Sequence, residues 1–242
     1  MTTNQVFDAL LLLARPAAGK SEIIRYLKNL SLEDRIRRFH VGDIREIDDF
    51  PMLWTWFEED DVLESMGHPR LHSTADGFFL QRYFWDVLIE RIGLEYDKLL
   101  RDDPAPDQPR TTLIEFSRGA QHGGYASAFE HLSQPILASS AIVYVNVSWE
   151  ESLRKNRRRF NPQRPDSILE HALPDRKLEY LYRETDWFEL TAPDPHTIAI
   201  QGKNVPYVVF ENDDDVTSGK NPALGLRLEQ ALESLWQRYR TA

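Results

Sequence analysis

Ala14-Arg15-Pro16-Ala17-Ala18-Gly19-Lys20-Ser21 carries the most specific chemistry in this sequence. A loop ending in Gly-Lys-Ser suits a polyphosphate. Successive backbone N–H groups form an anion nest, and the first turn of a following helix adds unpaired N–H groups and the positive end of its dipole. Arg15, Pro16, Ala17 and Ala18 supply the main chain of that nest, and Gly19 lets it approach an oxygen without a Cβ in the way. Lys20 is placed to reach the β- and γ-phosphates, and Ser21 to offer a hydroxyl to Mg²⁺. Ala14 stands where the stricter motif has Gly, and Pro16 stiffens the loop. The competing reading is a chance match in an ordinary strand–turn–helix. The flanks argue against it: Val6–Leu13 is an apolar run of strand length, and Ile23, Ile24 and Leu27 recur at helical spacing.

Two carboxylates follow at expected strand ends. Arg38–Asp43 reads as a short second strand. Ligands of open α/β sheets sit beyond the carboxyl ends of the strands, so Asp43 is the first choice to take a proton from a substrate hydroxyl. The acidic stretch after it, including Asp48 and Asp49, reads equally well as caps for the next helix. Glu115 closes the third strand, Thr111–Phe116, just before Ser117, Arg118 and Gly119. A Glu there is costly unless paired, and it suits the Mg²⁺ environment; the alternative is a surface ion pair with Arg118.

One strongly basic segment stands out: Arg154, Lys155, Arg157, Arg158 and Arg159, with Arg164 beyond. Arg154 and Arg158 lie one helical turn apart and are the candidates to close on the phosphates; the alternative is a solvated face complementing a helix C-terminus. Arg45, Arg70, Arg82 and Arg118 are the candidates for a phosphate-bearing acceptor. Pro69 separates His68 from His72 and argues against a metal pair. Asp213-Asp214-Asp215 reads as a solvated loop.

The positioning elements alternate between strand and helix, which predicts a parallel sheet covered on both faces. Pro51–Ser65 reads as a helix, a long helix is expected from Asp76 through Leu100, and Ser148 with Glu151 forms a capping-box signature before Trp149–Arg159. Ala141–Val147 is the fourth strand, His196–Ile200 the fifth, and Val205–Phe210 a further one, read as antiparallel. Leu224, Leu228, Leu232 and Leu235 share one side of a final helix capped by Asn221. Residues 1–242 read as one domain with a lid-like insertion at about 160–187.

Composition narrows the function. The net charge of −10 argues against nucleic acid as a partner, because neutralising a phosphate backbone needs a basic face. There is no Cys, hence no disulfide framework, and no apolar run of membrane-spanning length. A cytoplasmic location with no membrane partner is the expectation, and a homodimer is one expected assembly.

In layout the chain resembles the P-loop kinases of nucleosides and nucleotides. The resemblance rests on Ala14–Ser21, on Asp43 at the catalytic-carboxylate position, on Glu115 and Arg118 after the third strand, on Arg154–Arg159 leading into a lid, and on Gln201–Val205 at the position of the adenine-contacting loop. Only the phosphate loop is specific in sequence. The resemblance implies a three-layer α/β/α fold with a mainly parallel five-stranded sheet and a helical lid. It implies transfer of the γ-phosphoryl group of ATP or GTP, with Mg²⁺, to a small-molecule acceptor, a nucleoside or nucleotide among them. The alternative is a nucleotide-binding regulatory ATPase switch without a small-molecule acceptor.

Overall fold

The computed structural model describes residues 5–102, 108–159, 163, 172–219 and 221–241. Of the expected lid at about 160–187, residues 160–162 and 164–171, Arg164 among them, lie outside the described residues, as does the middle of the linker before the third strand.

The first strand, β1 (Ala9–Ala14), is buried along its whole length, as its unbroken apolar run requires when a sheet is covered on both faces. It lies between β3 (Arg110–Phe116) and β4 (Ser140–Asn146), parallel to both. β2 (Asp43–Asp48) extends the sheet beyond β3, and β6 (Lys203–Glu211) beyond β4, again parallel. β5 (Thr197–Ile200) is the antiparallel edge, paired with β6 through a tight turn at Gln201-Gly202. The order is β2-β3-β1-β4-β6-β5, so among the described residues the sheet has six strands rather than five.

Two apolar layers flank the sheet. Alternate residues of β1 face opposite ways: Leu10 and Leu12 pack with α1 (Lys20–Lys28) and α10 (Ala223–Tyr239). Leu11 and Leu13 pack with α4 (Phe84–Asp102), α5 (Gly124–Glu130), α6 (Gln134–Ser139) and α9 (Trp187–Thr191). Leu224, Leu228, Leu232 and Leu235 are all buried on α10, and Asn221 Oδ1 accepts from Ala223 N at 3.0 Å, both as expected. This is the expected three-layer α/β/α arrangement around a mainly parallel sheet.

Three boundaries differ from expectation. The apolar Phe39 and Val41 suggest a strand from Arg38, but Ser31 caps α2 (Leu32–Phe39), accepting from Asp34 N at 3.1 Å. That helix carries the chain to His40, and β2 starts only at Asp43. The long helix expected from Asp76 begins at Phe84, because Gly77 (φ 72°) and a bridge between Ser73 and Phe79 turn the chain first. The antiparallel strand is β5, not Val205–Phe210. Gln201–Val205 thus sits at the amino ends of the parallel strands, across the sheet from the phosphate loop. The loop that follows the last parallel strand is Asn212–Gly219.

Candidate active site

Pro16 and Ala17 form a turn after β1, and Ala17 adopts φ 59°. Gly19 (φ 115°) then enters α1, where its carbonyl accepts from Ile23 N. Glycine is required at this position. A Cβ there would lie 2.6 Å from Thr217 Oγ1 and 2.8 Å from Asn212 Nδ2. Asn212 Nδ2 in turn donates to Ala18 O at 2.7 Å, and Ser152 Oγ donates to Pro16 O at 3.0 Å, so the loop is held from two sides. Lys20 Nζ donates to Ser117 Oγ at 2.8 Å, and Ser21 is exposed at the start of α1.

Arg15 contributes its main chain to this loop, but its guanidinium turns away. It donates to the carbonyls of Tyr182 (3.2 Å), Val147 (3.1 Å) and Arg183 (3.0 Å). Tyr182 and Arg183 form the C-terminal end of α8 (Asp175–Tyr182), whose free carbonyls attract a cation. The phosphate loop is thereby tied to α8.

Asp43 lies at the start of β2, in register with Arg110, at the end of the sheet away from the phosphate loop. Its carboxylate pairs with Arg45 at 2.6 Å. The carboxyl-end residue of β2 is Asp48, which lies beside Glu115, with Leu12 of β1 on the other side of Glu115. Neighbours in parallel register point to the same face, so both carboxylates lie on the α1 side with Lys20. Burial, then the neighbouring Glu115 and Asp49 carboxylates, push the Asp48 carboxyl up to about 8 against the opposing effects of the Phe50 amide and Lys20. Glu115 Oε2 is buried with no hydrogen-bond partner among the described residues.

Asp48 was legible in sequence only as a cap. Its Oδ1 accepts from Phe50 N at 3.0 Å at the start of α3 (Asp49–Ser65). That cap fixes where β2 must stop, and the Asp-Asp-x-Pro run at 48–51 was the available signal.

Arg118 is a positioning residue. It is 2% exposed; its Nη1 donates to Asp49 Oδ2 at 2.5 Å and to Ser117 O at 2.8 Å, and its Nη2 donates to Trp85 O at 3.0 Å. Arg154 and Arg158 do share a face, as expected, but that face meets Asp215. Arg154 Nη2 donates to Asp215 Oδ2 at 2.7 Å, and Arg158 Nη1 reaches the same oxygen at 3.5 Å. Lys155 Nζ pairs with Asp215 Oδ1 at 2.7 Å. Burial acts to raise the Asp215 carboxyl, but hydrogen bonds from Lys155, Ser218 and Arg154 outweigh it and hold it at about 2. Asp213 accepts from Ser148 N and Asp214 from Arg227; both are exposed, as expected of a solvated loop, but the acidic triplet also anchors the elements around it. Ser148 caps α7 (Trp149–Arg159) through Glu151 N, but the Glu151 carboxylate binds Arg154 and leaves the capping box half made.

A cavity of about 540 Å³ opens between α3 and α8. Phe50, Trp54 and Phe57 wall it from α3, Phe79 and Trp85 from the chain around the start of α4, and Tyr182 from α8. Volumes of this size hold small organic ligands. Asp48, Glu115 and residues 14–21 do not line it; the cavity is connected to them through Phe50, whose amide donates to Asp48 Oδ1, and through Tyr182, whose carbonyl accepts from Arg15.

No family model matches the chain, and no curated protein matches it. Solved structures similar to it include Chaetomium thermophilum Kti12 in complex with ADP-AlF3 (16% identity, 95% of this chain and 97% of that one, TM-score 0.46). A sugar kinase from a Janibacter species, unliganded, has 12% identity over 96% and 98% at a TM-score of 0.39. A protein described as APE1195 has 15% identity over 96% and 97% at 0.40.

Proposed function

We propose that this chain is a phosphotransferase that moves the γ-phosphoryl group of ATP or GTP to a hydroxyl of a small acceptor, with Asp48 taking the proton. One observation carries the reading. Asp48 and Glu115 lie side by side at the carboxyl edge of the sheet, on the face of Lys20, and Phe50, whose amide donates to Asp48, lines the aromatic cavity.

The acceptor oxygen forms the new bond to the γ-phosphorus, the bond from that phosphorus to the β,γ-bridging oxygen breaks, and the diphosphate leaves. Asp48, in its ionised form, accepts the hydroxyl proton. Lys20 and the loop amides stabilise the transferring oxygens, and the cavity walls exclude competing water. Ser21 and Glu115 are the residues that would hold Mg²⁺. The unpartnered Glu115 Oε2 beside a second carboxylate fits a hard, oxygen-seeking cation. When bound, the ion supplies neutralisation of phosphate charge.

A hydroxyl acceptor is favoured over a phosphate one. Arg45 is paired with Asp43 at the far end of the sheet, Arg118 with Asp49, and Arg70 with Asp61, Glu64 and Ser73. Only Arg82 of the four expected cations lines the cavity. The test is an acceptor screen with γ-labelled ATP and GTP, comparing the intact protein with Asp48→Asn. Acceptor-dependent product that disappears in Asp48→Asn supports the proposal, and equal product from both proteins refutes the role of Asp48.

A nucleotide-gated switch is the second reading, favoured by the commitment of Arg154 and Arg158 to Asp215. A switch whose own arginines are occupied can be completed by a partner's arginine. Hydrolysis indifferent to small acceptors but raised by a protein partner would select it.

A further inference from the structure

The lining of the cavity speaks to the class of acceptor. Among the described residues, fifteen line it; eight of them are aromatic, and none is Asp, Glu, Asn, Ser, Thr or His. A polyol bound there would leave most of its hydroxyls unpaired, and a nucleobase would find one amide side chain, Gln121, for all its polar edges. Each unpaired polar group weakens binding. Flat apolar rings meet no such cost and gain offset or edge contacts with the walls.

Two cations reach this lining. Lys177 is already occupied: its Nζ donates to the carbonyls of Gly77 and Asp76 and sits over the Phe78 ring at 4.8 Å. The Arg82 side chain, by contrast, has no hydrogen bond or ion pair among the described residues. Its Nη1 rests against the backbone of Gly123, where an added Cβ would lie 2.3 Å away. Arg82 is exposed at the cavity mouth, and a guanidinium resting on one surface with no partner among the described residues suits one planar anionic group such as a carboxylate.

We infer that the cavity takes a flat aromatic carboxylic acid bearing a hydroxyl group, its rings among Phe50, Trp54, Phe79 and Trp85 and its carboxylate on Arg82. This rests on the phosphotransferase reading for the fate of the hydroxyl alone; binding of the ring and carboxylate stands independently of it.

The probes are 6-hydroxy-2-naphthoate, 2-naphthol, adenosine and glucose, titrated by calorimetry into the intact protein without nucleotide. Saturable one-site binding of the naphthoate is expected, with 2-naphthol about ten- to hundredfold weaker, the range of a charge-assisted contact. Adenosine and glucose should bind more weakly than the naphthoate. Arg82→Gln should reduce the naphthoate to the affinity of 2-naphthol and leave 2-naphthol unchanged. Arg91→Gln, on the following helix outside the cavity, should alter neither. Trp54→Ala should weaken both naphthalene probes alike and keep the preference for the carboxylate. No saturable naphthoate binding, indifference to Arg82→Gln, or tighter binding of adenosine or glucose would overturn the inference. Phosphoryl transfer is scored separately. Naphthoate binding without transfer keeps this ligand class and removes the kinase reading, whereas transfer to another acceptor without naphthoate binding does the reverse.

Discussion

At Asp48 one side chain meets two demands. It caps α3 through Phe50 N, and it is held against Glu115 at the edge where a substrate hydroxyl is expected. Burial beside a second carboxylate is unfavourable for the charged form, and a site that tolerates it has a use for the result. Asp48→Asn keeps the cap geometry and removes the base, so transfer should fall by about 10²–10⁴-fold. Asp43→Asn, far across the sheet, should leave the rate within about twofold; a larger loss there than at Asp48 would reverse the assignment. Gly19→Ala should abolish nucleotide binding, since the new Cβ meets Asn212 and Thr217 in a backbone conformation alanine resists. Unaltered binding in a titration would contradict that. Asp60 tests the scaffold behind the cavity. Fully buried on α3, it accepts from the amides of Leu71, His72 and Ser73 and from Ser73 Oγ, which hold it at about 2. Arg70, His72, Asp61 and Glu64 surround that loop. A carboxyl depressed below its unfolded value stabilises above about pH 4, and that contribution is lost as pH falls through about 2. In denaturant melts the stability advantage over Asp60→Asn should therefore shrink by roughly 2 kcal/mol between about pH 4 and pH 2; a gap that stays constant would refute it.

At the scale of elements, the phosphate loop is braced by connections that no local pattern announces. Arg15 links it to the end of α8, and α8 walls the cavity. Nucleotide binding should therefore slow amide exchange over Leu178–Tyr182, and Arg15→Ala should remove that protection while preserving nucleotide binding within about tenfold. Asp215 locks the other side. Asp215→Ala would leave the buried Lys155 without its ion-pair partner and should cost about 3–5 kcal/mol in a denaturation measurement. What was readable in the sequence follows the same division. β1, the phosphate loop and α1 are contiguous and strongly patterned, so their places follow from local rules. α7 is equally legible from its Ser148 cap, and α10 from its leucines. β2 is not, because Phe39 and Val41 are apolar for tertiary reasons while Ser31 carries a helix through that stretch. Arg15, Arg118, Arg154 and Arg158 look alike in sequence as cations near a phosphate site. Their partners, Tyr182, Asp49 and Asp215, lie far away in the chain, so only the folded arrangement distinguishes a cation that braces from one that is free.

At the scale of the whole molecule, a single central sheet places all the chemistry at one edge. The order β2-β3-β1-β4-β6-β5 puts the two carboxylates on one side of the phosphate loop and the Asn212–Gly219 anchor on the other. The chain as a whole is strongly acidic, so under the proposed function a triphosphate would be attracted by local groups, Lys20 and the amides of α1 and its loop, rather than by the overall field. Among the described residues no helix is long and apolar enough to cross a membrane. The account stands on nucleotide occupancy of Ala14–Ser21. Calorimetric titration of the intact protein with ATP and with GTP, each with magnesium, tests it most directly. A single saturable site for at least one of them, lost in Lys20→Ala, is the predicted result, and heats no greater than dilution for both nucleotides, or binding unchanged in Lys20→Ala, would contradict it.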